Sequence, residues 1–170
     1  MKSGGVKLFG IFVLRLGVEN LNGRIYTVES AEKIIESFET KVKSGMTPIG
    51  DIVYDKDGIL ENFSQISLSN ATHIVNSMYI GGDNNDILYA DITLLSGLPH
   101  SDNIFELILS GDLLLRIALI GETDYDRKVI VNKFIKLYFM KREFDTFPYC
   151  FYVPVNFWEK VEEPLVPIRE

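Results

Sequence analysis

Cysteine is nearly missing from this chain. Cys150 is the only one in 170 residues, so no disulfide can form within the chain, and a reducing compartment suits it. Positive charge is also in short supply. Against 24 Asp and Glu stand 17 Lys and Arg, for a formal net charge of −7. That balance argues against nonspecific binding to nucleic acid or a membrane surface, both of which need clustered cations. The apolar run at residues 8–14 is too short to span a bilayer and ends in no convincing signal cleavage site, so a soluble chain is expected. There is no internal repeat, coiled coil or low-complexity segment. Proline is scarce except at one end: four of the six lie within residues 145–170.

What is present suits a globular domain. Apolar residues make up 46% and charged residues 24%, and the length allows one domain with a real core. Residues 7–16 are β-branched and aromatic and predict a mostly buried first strand. Residues 28–44 predict the clearest helix. Thr27 is its cap, Ala31, Ile34, Ile35, Phe38 and Val42 form an apolar stripe, and Gly45 is the stop. A shorter helix is expected at 102–110, capped by Ser101 and ended by Gly111. Residues 113–120 predict a buried strand, and 128–143 a long strand or two. Residues 121–127 read as a polar loop between them.

The chain is organised around residues 71–91, ATHIVNSMYIGGDNNDILYAD. Two alternating apolar runs flank the turn-forming stretch at 81–85, which predicts a β-hairpin. Strict alternation puts Ala71, His73, Val75, Ser77 and Tyr79 on one face, and Ile74, Met78 and Ile80 on the other. His73 is one of two histidines and stands on a rigid element, where a catalytic imidazole could be held.

Residues 47–62 are rich in Asp and Gly and read as an irregular, solvated loop, with 63–69 as a short edge strand or a further loop. Asp51, Asp55 and Asp57 lack the closing bidentate Glu of a calcium loop, so no metal and no other cofactor is expected. Residues 145–170 hold Phe147, Tyr149, Phe151, Tyr152, Phe157 and Trp158 among their prolines. Such proline density opposes a helix or a central strand, so 146–170 reads as an extended aromatic arm beyond a domain at 1–145. These aromatics are the candidate partner-binding residues, with docking on a partner preferred over closing the domain's own core. The expected fold is α+β and β-rich: a curled, mostly antiparallel sheet or barrel flanked by a few helices.

The order of landmarks resembles a family, the prohead (capsid-maturation) proteases of tailed bacteriophages, relatives of the herpesvirus assemblins. The likeness rests on NLNGRIY at 20–26, followed directly by a helix, and on THIVNSMYIGGD at 72–83. It covers roughly residues 7–145. It implies a serine endopeptidase acting inside the immature capsid, with Ser and His on strands of a β-barrel and a third His or an acid assisting. His73 matches the family histidine, and Asp51 falls where the family has Glu. The nucleophile strand departs from the pattern. Residues 113–121, LLLRIALIG, contain no Ser, Thr or Cys, and the nearest hydroxyls are Ser110 and Thr123. Acyl transfer needs a nucleophile within reach of its base, which Leu and Ile cannot supply.

The reading is therefore a catalytically inactive member: a virion or prohead assembly protein acting by protein–protein binding. The expected partners are other phage structural proteins or further copies of itself, with no nucleic acid or membrane, in the prohead or virion and in host cytoplasm during assembly. One alternative is an active peptidase using a relocated nucleophile, Ser110 with His73. Another is an unrelated β-rich binding module.

Overall fold

The computed structural model describes residues 5–20, 23–53, 70–98, 103–141 and 156–160. In chain order the elements are β1 (Lys7–Arg15), α1 (Val28–Lys43), β2 (Ile49–Val53), β3 (Ala71–Gly81) and β4 (Ile87–Leu94). They continue with α2 (Ile104–Leu109), β5 (Leu113–Thr123), β6 (Val129–Lys141) and β7 (Asn156–Lys160). The fold is α+β and β-rich, as the periodicities predict. One seven-stranded sheet has the order β1-β4-β3-β2-β6-β5-β7. Every pairing is antiparallel except β2 with β6. The sheet is open: β1 comes near β5 as it curls, without pairing to it.

Helix α1 forms where its local signals place it. The Thr27 hydroxyl accepts from Ser30 N at 3.0 Å while Ser30 Oγ accepts from Thr27 N, a reciprocal cap. Ser30 Oγ also donates to Val129 O at 2.6 Å, tying the helix start to β6. Ala31, Ile34 and Phe38 are buried, and the Phe38 ring meets Phe134 edge-on at 6.2 Å. Ile35 is half-buried, while Val42, at the end of the stripe, is exposed.

Bulges set the curvature. Ile135 has no opposite residue on β5, because Ala118 pairs with Lys136 and Leu119 with Phe134. A bulge frees backbone groups that need other partners. One turn of α1 supplies them: Ser37 Oγ accepts from Phe134 N at 2.9 Å, and Lys41 Nζ donates to Ile135 O at 3.0 Å. On β1, Gly10 takes φ +64, a left-handed conformation natural to glycine, and its N–H donates to Asp91 Oδ1 at 2.9 Å.

The hairpin differs from strict alternation. Ala71, His73 and Val75 are buried, but so is Met78, while Tyr79 is exposed. Val75 pairs with Ile92 and Ser77 with Asp91, leaving Asn76 as an extra residue. That one-residue bulge exchanges the two faces of the strand's second half.

Three further stretches depart from expectation. The region read as irregular contains β2, which lies inside the sheet between β3 and β6. β5 runs on to Thr123, through the start of the stretch read as a loop. Part of the presumed arm is β7, an edge strand pairing antiparallel with β5 from Arg116↔Lys160 to Ile120↔Asn156. Proline at 154 precedes that strand and none lies within it, so the ladder is not interrupted. Ser101 and residues 63–69 lie outside the described residues. The residue before α2 is Asn103, whose side chain makes no capping bond.

Candidate functional site

His73 is set on β3 directly across from Gly50 of β2. Its side chain is 0% exposed. The ring lies on the bare backbone of Gly50, where any β-carbon would collide with it and with the Leu137 carbonyl. Phe139 of β6 covers it edge-on, with ring centres 4.7 Å apart. Thr72 Oγ1 lies 2.9 Å from Nδ1, also fully buried. Nε2 makes no hydrogen bond of normal geometry, although the Leu137 carbonyl is close enough to favour a proton on the ring. Burial pushes the imidazole pKa down to about 3; Leu137 opposes the shift and the Lys136 charge adds to it.

Asp51 follows Gly50 on β2 and is not the solvated loop residue the sequence suggests. It is 1% exposed, and its Oδ2 accepts from Lys136 Nζ of β6 at 3.0 Å, while Oδ1 has no hydrogen-bond partner among the described residues. Burial raises the Asp51 pKa against the pull of Lys136, and burial lowers that of Lys136 against the pull of Asp51. Each partner thus favours the other's charge in a place that disfavours both charges. The pair crosses the parallel seam of the sheet, where among the described residues β2 pairs with β6 at Ile52↔Phe139 and Val53↔Met140.

Ser110 belongs to a different setting. It is exposed at the C-cap of α2, and its hydroxyl lies 3.0 Å from Leu107 O and 2.8 Å from Asp112 Oδ2. None of its hydrogen bonds leads towards His73. Strand β5 buries Leu113, Leu115, Ile117, Ala118 and Leu119. Asp55 and Asp57, and the aromatics Phe147, Tyr149, Phe151 and Tyr152, lie outside the described residues. Phe157 and Trp158 lie on β7. Among the described residues no three His, Cys, Asp or Glu gather as a metal site, and no helix is long and apolar enough to cross a membrane.

The sequence singled out His73 and Asp51 but not the residues that enclose them. Lys136 carried a legible signal, a lone cation inside the apolar run FIKLYF at 134–139. Thr72 and Gly50 carried none, because their roles depend on strand register.

No protein-family model matches this sequence, and no curated protein matches it. Among solved structures the chain is similar to the bacteriophage T4 capsid assembly protease, gp21. The identity is 16% and the TM-score 0.49, over 83% of this chain and 93% of that chain. So distant a likeness decides nothing about chemistry.

Proposed function

We propose that this chain is a non-catalytic phage assembly protein, built on a prohead-protease-like plan and working by binding other virion or prohead proteins. The observation that carries the reading is the enclosure of His73. A general base must reach the proton it removes, and this imidazole is sealed by Gly50, Thr72 and Phe139 and held neutral. The aliphatic filling of β5 supports the same reading, since no hydroxyl or thiol occurs from Leu113 to Gly121. The motifs at 20–26 and 72–83 support the assembly context.

Two measurements test it together. The purified chain is treated with a fluorophosphonate probe, and it is co-expressed with capsid and scaffold proteins of a tailed phage and sedimented. The expected result is no labelling, together with co-sedimentation that survives His73→Ala. Labelling that disappears in His73→Ala would overturn the reading in favour of a peptidase. Failure to sediment with any prohead component would remove the assembly role.

A further inference from the structure

A cavity of about 240 Å3 opens where the end of α1 meets β2, β3 and β6. Met46, Pro48, Ile49, Val75 and Leu137 give it a largely aliphatic lining, and Lys41 lines it as well. Lys41 is half-buried. Its Nζ holds the Ile135 carbonyl and lies 5.5 Å from the centre of the Phe134 ring. Burial and the neighbouring charge of Lys133 bring its pKa down to about 8, so at neutral pH it is mostly a cation. Among the described residues no carboxylate pairs with it. The other lysine lining the cavity, Lys136, holds Asp51. A partly desolvated ammonium beside a second cation, with a carbonyl and a ring for company, lacks a counter-charge. An aliphatic cavity with one convergent charged group is the usual form of a small-ligand site.

We propose that this cavity binds a small apolar monocarboxylate, its carboxylate on Lys41 Nζ and its hydrocarbon part against Ile49, Val75 and Leu137. The volume holds roughly eight heavy atoms, at about 30 Å3 for each water-sized unit, which suits a hydrocarbon tail of about seven carbons with the carboxylate outside it on Lys41 Nζ. Since Lys136 already holds Asp51, Lys41 is the one lining cation without a carboxylate among the described residues. It matches a single carboxylate better than a phosphate, which calls for several donors. The proposal does not rest on the assembly role, although Leu137 and Lys136, which lie beside His73, also line the cavity.

The full chain is titrated with octanoate and with octanamide, which has the same shape and no charge, by calorimetry and by NMR of the lysine side chains. Octanoate is expected to bind saturably, at least about tenfold more tightly than octanamide, and to move the Lys41 titration upward. Lys41→Met is expected to abolish the preference for octanoate. Met46→Trp, at an exposed position lining the cavity, tests the location without touching the Ile135 contact and is expected to weaken octanoate by about tenfold. Absence of saturable octanoate binding at millimolar concentration overturns the proposal. So does equal affinity for the two ligands in the wild type, or Met46→Trp binding like the wild type.

Discussion

The His73 ring takes the space that a side chain on Gly50 would need, across one register pair of β2 and β3. No flexible atom can yield there, because the Leu137 backbone closes the other side. Gly50→Ala is expected to cost about 1–3 kcal/mol by overpacking. Urea unfolding measures it. A midpoint equal to that of the wild type would mean that the ring and backbone are not in contact.

The buried Asp51–Lys136 pair makes a prediction about pairs. Asp51→Leu and Lys136→Met, made singly, each leave a buried charge without its partner and are expected to cost about 3–5 kcal/mol. Made together they remove both charges from the seam and are expected to cost far less than either alone, or to stabilise. A double variant as unstable as the sum of the singles would sink this account.

His73 predicts how stability depends on acid. Its folded pKa, about 3, is far below the ordinary value of 6.5. Between these pH values the unfolded chain binds a proton that the folded chain refuses. Stability attributable to His73 therefore falls as pH drops from about 6.5 towards 3, by about 1.4 kcal/mol per pH unit. Asp51, whose folded pKa is raised, acts in the opposite direction above its unfolded value, so the comparison is made between wild type and His73→Gln. Urea midpoints at several pH values are expected to show the extra acid sensitivity in the wild type only. Parallel curves would show that the imidazole titrates freely.

Thr27 and Ser30 cap α1 reciprocally, and Ser30 also reaches Val129. Thr27→Ala is expected to cost about 1 kcal/mol. Ser30→Ala should cost more, because it also leaves the Val129 carbonyl without that donor. Equal costs in thermal unfolding would show that the link to β6 contributes nothing.

Strand β7 changes what truncation should do. Ending the chain after Asp145 removes an edge strand and bares the ladder of β5, so the truncated domain is expected to be less stable and to aggregate. A truncated domain that stays folded and monodisperse would restore the reading of this stretch as a free docking arm.

The helix α1 and the β3–β4 hairpin were legible because their signals are local. The Thr27 cap, the 3.6-residue stripe and the two-residue alternation all involve neighbours a few positions apart. The absence of a nucleophile from residues 113–121 is likewise a property of composition and needs no fold. Other features belong to the tertiary structure alone. Asp51 can be buried because Lys136 arrives 85 residues later, and β2 is a sheet strand because β6 lies parallel beside it. Met78 turns inward because Asn76 has no opposite number on β4, a matter of register between strands. A charge in a core or a bulge in a ladder is decided by the partner across the gap, and local periodicity holds no information about that partner.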